Sequence, residues 1–269
     1  MDISQIVGNS FEYAKKLFSD LGRLAILIVL DIIPIVNLIV LGYMTRVAKE
    51  TPMSADPPPL RDYGDMFIQG LKVAVAVFLY MLVPIIIILL GAGAFIFGAI
   101  GMQEFFPAWG AIGVGILVVG IILAFAIAII MAMALVHMVK NNSFGKAFAV
   151  GEVLGIIGRI GWGKYIVWLI IMFVIALIVG AIGSIPAVGW IISLVIAPVF
   201  GVFVWRSAGL IYSEAVPPVG FPPAPPTPPA YVPPPPPPTV AVPAVRFCVH
   251  CGAQIAAEAV FCPRCGGRQ

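Results

Sequence analysis

Long apolar runs, separated by short polar stretches, set the character of this chain. They cover Leu24 to Tyr43, Val73 to Ile100, about Ala111 to Val139, Tyr165 to Ile182, and Val188 to Trp205 with an extension toward Tyr212. A hydrocarbon core of about 30 Å takes about 20 helical residues, so these roughly five segments are candidates to enter or cross a bilayer. The second and third are longer than a bilayer needs and should tilt or project. Ahead of them, residues 4 to 20 set Ile6, Phe11, Tyr13, Leu17 and Phe18 among charged neighbours, the pattern of an amphipathic helix lying at a membrane surface. After the third run, Asn141, Asn142 and Ser143 offer N-caps for a second surface helix, with Phe144, Phe148, Gly151 and Leu154 at helical spacing.

The interruptions are as informative. Asp31, Pro34 and Asn37 sit in the middle of the first run, where a charge is costly and proline removes a backbone hydrogen bond. "DPPP" at Asp56 to Pro59 ends any helix there, and "GSIP" at Gly183 to Pro186 parts the last two runs. "IPIVNLIVLGY" from Ile33 resembles "IPAVGWIISLV" from Ile185, a short internal echo of a proline-centred break followed by an apolar stretch. Pro217 to Pro243 is dominated by proline, with an unbroken run from Pro233 to Pro238. It reads as polyproline II or a disordered spacer, the alternative being a ligand for proline-reading domains.

Composition agrees with the pattern. Hydrophobic residues make up 61% of the 269 and charged residues 10%, against roughly 25% charged in soluble domains. An integral membrane protein is expected, in contact with the lipid bilayer. The net charge of +3 is small, and the basic residues lie beside apolar runs, so they read as orientation signals and lipid contacts rather than a nucleic-acid footprint. The first run is too long for a signal-peptide core, and no cleavage is expected.

Basic residues occur near the N-terminus, in the loop after the first run (Arg46, Lys49, Arg61, Lys72), in the loop from Lys140 to Lys164, and beyond the fifth run. The positive-inside rule puts these on the cytoplasmic face. It turns the short connections near Glu104 and Pro107 and at Ser184 outward. Lys15, Lys16 and Arg23 also mark the N-terminus as cytoplasmic, which a single crossing by the first run would contradict. A re-entrant hairpin with its tip at Pro34 to Asn37 removes the conflict.

Four cysteines carry the clearest chemistry. Cys248, Cys251, Cys262 and Cys265 stand as C-x2-C-x10-C-x2-C in "FCVHCGAQIAAEAVFCPRCGGRQ", the spacing of two metal-binding knuckles around a structural Zn2+. Four thiolates close a tetrahedral site and leave no position for catalysis. So small a unit cannot bury a core, and its folding energy should come from the metal, on the order of 10 to 16 kcal/mol in finger peptides. A zinc-thiolate tail needs a reducing compartment, which again selects the cytoplasm. Gly252 and Gly266 permit the knuckle turns, Phe247 and Phe261 are expected to cover the metal centre, and His250 is not needed as a ligand.

Other motifs carry less. "GRIGWGK" at Gly158 to Lys164 departs from a P-loop because Tyr165 follows the lysine and no strand precedes it. Its glycines are better suited to turning a surface helix into the fourth run, with Trp162, Lys164 and Tyr165 anchoring at headgroup level. Asp31, with Pro34 and Asn37, marks an intramembrane candidate site for transport or gating, the bland alternative being a cap for the hairpin break. His137, near the end of the third run, reads as interfacial.

"LGYMTRVAKE" (Leu41 to Glu50), "DYGDMFIQGLKV" (Asp62 to Val73), "AFAVGEVLGIIGRIGWGKYI" (Ala147 to Ile166) and "GLIYSEA" (Gly209 to Ala215) resemble domain-of-unknown-function family 4013, found mainly in archaea and bacteria, over roughly Phe11 to Ala215. That resemblance implies a multi-helix membrane domain and no activity. The tail separately resembles the double-knuckle zinc ribbons appended to prokaryotic membrane proteins.

The expected architecture is an all-α polytopic membrane domain (1–215), a proline-rich linker (216–245) and a small four-cysteine zinc-ribbon β domain (246–269). The expected role is a membrane-anchored adaptor or assembly protein whose cytoplasmic ribbon binds a protein partner. A small transporter or channel with the ribbon as a regulatory tail is the alternative. No nucleophile and base pair, open metal site or cofactor motif marks an enzyme. The oligomeric state is left open.

Overall fold

The structure is a computed structural model that describes residues 1–99, 108–217 and 244–269. The turn at Glu104 and Pro107, expected to face outward, and most of the proline-rich stretch lie outside the described residues. The chain divides into two compact units, Met1–Phe221 and Pro222–Gln269.

The first unit is helical. In chain order its helices are α1 (Ile3–Lys15), α2 (Leu21–Ile32), α3 (Asn37–Glu50), α4 (Tyr63–Ala99), α5 (Trp109–Lys140), α6 (Val150–Ile160), α7 (Trp162–Gly183) and α8 (Gly189–Ala215). Short 3-10 turns follow α1 and precede α6. Four helices, α4, α5, α7 and α8, are long and apolar enough to cross a membrane.

The first apolar run behaves differently. Its Leu24 to Tyr43 stretch is split between α2, of 12 residues, and α3, of 14. Those lengths give about 18 and 21 Å, too short to cross. The chain also reverses between them. Arg23, at the start of α2, donates from Nη1 to the Pro57 carbonyl at 2.8 Å, and Tyr43, in α3, donates from its hydroxyl to the Pro58 carbonyl at 3.1 Å. A continuous helix would hold residues 23 and 43 about 30 Å apart. Instead both reach adjacent carbonyls, so α2 and α3 form a hairpin whose tip is Ile33 to Val36.

Two longer hairpins build the rest. In α4–α5, Gly98 lies against Gly110 and Gly91 against Leu117, an antiparallel register with backbones in close approach. In α7–α8, the Trp168 indole donates to the Ser207 hydroxyl at 2.6 Å across the pair. The α2–α3 hairpin docks on α4 through Gly42 and Gly70. A Cβ at Gly42 would stand 1.7 Å from the Met66 carbonyl oxygen, and one at Gly70 would stand 1.8 Å from that of Leu38.

Burial is concentrated at the end of the unit where the basic residues gather. Ile6, Tyr13, Leu27, Tyr43, Met133, Ile157, Trp168 and Ile211 are core residues there. Toward the other end the long helices turn apolar side chains outward: Leu89, Ile122, Phe125, Phe173 and Trp190 are all exposed. Outward-facing apolar arms beneath a packed polar-ended cap suit a bilayer as solvent.

Three local expectations are corrected. The N-terminal helix does not rest its apolar face on lipid, because Ile6, Tyr13 and Leu17 are buried in the protein core and α1 packs on α8, leaving Phe11 and Phe18 exposed. The second surface helix starts at Val150 with Ala149 at its N-cap, and it buries Val153, Ile156, Ile157 and Ile160 rather than Gly151 and Leu154. The break at Ala149 resets the helical phase, so a spacing counted from Phe144 lands on the wrong face. Third, Tyr165 is no headgroup anchor: it is fully buried and donates to the Ile129 carbonyl at 2.5 Å. Gly161, with φ of +94°, does turn α6 into α7.

The second unit contains an antiparallel pair, β1 (Val245–Phe247) and β2 (Gln254–Ala256), with Val245 opposite Ala256 and Phe247 opposite Gln254.

Candidate metal centre

Each cysteine pair sits on a turn of the same construction. The Cys248 N–H donates to the Ala253 carbonyl at 2.8 Å, and the Gly252 N–H returns to the Cys248 carbonyl at 2.9 Å. In the second knuckle the Cys262 N–H donates to the Gly267 carbonyl at 2.9 Å, and the Gly266 N–H returns to the Cys262 carbonyl at 2.8 Å. Gly252 and Gly266 have φ of +70° and +71°, values that side chains rarely tolerate. Glycine therefore stands one residue beyond the second cysteine of each pair.

These turns bring all four sulfurs within 4.8 Å of one another. Cys248 and Cys265 are 3.6 Å apart and Cys251 and Cys262 are 3.7 Å apart. All four are free thiols. A tetrahedral zinc with bonds of about 2.3 Å has sulfur edges of about 3.8 Å, so the spacing fits the ion.

The electrostatics fit as well. Burial opposes ionisation of Cys248, but donation from the His250 and Cys251 backbone N–H groups draws that thiol down to about 6. The N–H groups of Arg264 and Cys265 hold Cys262 below the usual thiol range. The Gly267 N–H lowers Cys265, yet the neighbouring thiols and burial outweigh it and push it up to about 12. Four sulfurs this close cannot all carry charge without a cation among them, which a divalent ion supplies.

The centre differs from expectation in its cover. Phe247 and Phe261 are 68% and 61% exposed, while Ile255, on β2, is buried against Cys248 and Cys262. A residue that spacing did not reveal is Gln269, whose amide donates to the Cys248 sulfur at 3.0 Å while its oxygen accepts from the Val249 N–H at 3.1 Å. It belongs to the opposite knuckle, and no local pattern announces a bond across that distance in sequence.

The membrane unit places the other candidates. Asp31 and Asn37 both line a cavity of about 450 Å³, with Leu38, Met44, Pro198 and Trp205 among its other walls. Pro34 forms the hairpin tip and does not line it. His137 is not a simple interfacial side chain: it is buried, with Nδ1 at 2.9 Å from the Tyr212 hydroxyl and Nε2 at 3.0 Å from Glu152. Lys146 and then His137 hold the Glu152 carboxyl below its ordinary value. Arg206, also buried, bonds Asn9, Thr51 and the Ser54 carbonyl and lies 4.3 Å from the Tyr13 ring centroid. Both networks join residues far apart in sequence.

A family model described as a protein of unknown function (DUF4013) matches residues 26–188. The chain belongs to that family. A zinc-ribbon domain model matches residues 247–268 and includes all four cysteines. No curated protein and no solved structure matches the chain. This member of family 4013 thus pairs the helical domain with a ribbon.

Proposed function

We propose that this protein is a membrane-anchored adaptor or assembly factor that presents its zinc ribbon to a protein partner in the cytoplasm. The observation that carries the reading is the closed four-sulfur centre. Its metal has no open position and serves to hold a small surface in shape. Phe247, Val249 and Phe261 are exposed on that surface, and exposed apolar side chains on a rigid module suit docking. The cytoplasmic side is supported by the free thiols, which need a reducing compartment, and by the basic residues gathered at one end of the helical unit. We assign no enzymatic activity and no nucleic-acid partner.

Affinity capture of the full chain in detergent, comparing wild type with Cys248→Ser plus Cys251→Ser, tests this. Partners retained by wild type and lost from the variant are expected. Identical capture by both defeats the adaptor reading.

The cavity at Asp31 favours a second reading, a small transporter or channel with the ribbon as a regulatory tail. Flux in proteoliposomes that disappears with Asp31→Asn supports it, and absence of flux removes it.

A further inference from the structure

The two proline-centred breaks are the same turn. Asn37 N–H donates to the Ile33 carbonyl at 3.0 Å, and Gly189 N–H donates to the Ile185 carbonyl at 2.9 Å. The residue after each proline has a positive φ, +72° at Ile35 and +66° at Ala187. The copies differ at the helix that enters the turn. At the end of α7 the Ser184 N–H donates to the carbonyls of Gly180 and Ala181, the Ser184 hydroxyl donates to Ala181, and the Ile185 N–H donates to Ile182. At the end of α2 the carbonyls of Leu30, Asp31 and Ile32 accept no hydrogen bond among the described residues.

Those open carbonyls stand beside an acid. Neither the Asp31 carboxylate nor the Asn37 side chain has a hydrogen-bond or ion-pair partner among the described residues. Both border the 450 Å³ cavity. Around it Ile32, Ile33 and Ile35 are exposed, apolar side chains that lipid would cover. Pro198, inside α8, also lines the cavity and cannot supply the N–H that the Leu194 carbonyl would otherwise receive. A helix C-terminus carries partial negative charge, so the open carbonyls at the end of α2 and the Asp31 carboxylate beside them favour a cation. Where lipid covers the hairpin tip, unsatisfied carbonyls and an unpaired carboxylate are both costly.

We propose that the tip of the α2–α3 hairpin binds a monovalent inorganic cation, sodium or potassium, through the Asp31 carboxylate, the Asn37 side-chain oxygen and the open carbonyls at the end of α2. Oxygen-only donors select a hard cation. One carboxylate selects a single charge, because a divalent ion would leave a net charge in lipid. The site stands apart from the ribbon and holds whether the ion is transported or retained.

The test uses the full chain in phosphatidylcholine nanodiscs. Thermal midpoints are compared in sodium, potassium and N-methyl-glucamine chloride at equal ionic strength. Sodium or potassium raises the wild-type midpoint by at least about 3 °C over N-methyl-glucamine. The rise is absent in Asp31→Asn and reduced in Asn37→Ala. Equilibrium dialysis with radioactive sodium and rubidium ions, on wild type and Asn37→Ala, reads occupancy directly and covers an Asp31→Asn variant that does not fold. Equal midpoints in all three salts, an equal rise in Asp31→Asn, or a response to pH without a response to metal ions overturns the proposal. The last outcome would assign Asp31 a proton instead. None of these outcomes bears on capture of partners by the ribbon.

Discussion

Arg23 and Tyr43 hydrogen-bond to neighbouring carbonyls, those of Pro57 and Pro58, so the two flanks of the first apolar run return to one polar loop. A cysteine introduced at Ser4 should therefore resist an impermeant thiol reagent added to intact cells. One introduced at Ser184, in the α7–α8 turn, should react. Labelling of Ser4→Cys from outside would contradict the hairpin as a re-entrant element.

The α3–α4 contact should tolerate no side chain at Gly70. Gly70→Ala would press a methyl into the Leu38 carbonyl, and backbone cannot step aside as a flexible side chain could. A loss of about 3 kcal/mol or more is expected. Gly64→Ala, where nothing lies within 4 Å, should be neutral or slightly stabilising. Unfolding in detergent, followed by circular dichroism, separates them.

Tyr13 covers the Arg206 guanidinium and also donates to the Asp56 carbonyl. Tyr13→Phe removes one hydrogen bond and should cost about 1 kcal/mol. Tyr13→Lys places a second cation beside a buried one, and should release α1 from α8, costing several times as much. Protease sensitivity of residues 1 to 20 reports the release.

Metal retention by the ribbon should fall as acid competes for sulfur. The Cys248 and Cys262 thiols are held below the usual value. Their contribution is complete above the unfolded thiol value of about 8.5 and is lost as pH falls through the folded one. Zinc measured per chain after dialysis should fall as pH is lowered below neutral, because protons compete with the ion for the same sulfurs. A chelator at pH 7.5 should open the tail to protease and leave the helical unit protected. Equal protease resistance with and without metal would deny the ion its structural role.

Glu152 illustrates a pH effect of the same sign in the helical unit. Its carboxyl is held down by Lys146 and His137, so its contribution is complete above the unfolded carboxyl value and declines as pH falls through the folded one. Amide protection in α6, corrected for the intrinsic pH dependence of exchange, should decline in acid below about 4. Glu152→Gln should remove that dependence.

Much of the helical unit was legible in the chain. Length and uninterrupted apolarity marked α4, α5, α7 and α8, because a bilayer demands both. Cysteine spacing marked the ribbon, because a tetrahedral ion constrains where four sulfurs stand along a chain. The phase of α6 was misread because the turn at Ala149 is invisible to a periodicity count. The phenylalanines beside the knuckles were misplaced because a small unit has little interior to hide them, and Ile255 fills what there is.

The order of residues thus specified which segments are membrane-compatible, where they break and which side chains grip the metal. All of these follow from local composition and short spacing. Tertiary structure alone decided that α1 is core, that the Pro34 and Pro186 turns share a backbone path but differ in their carbonyl caps, and that Arg206, His137 and Gln269 find their partners. Such contacts join residues tens to hundreds of positions apart, and no local energy preference encodes them before the helices pack.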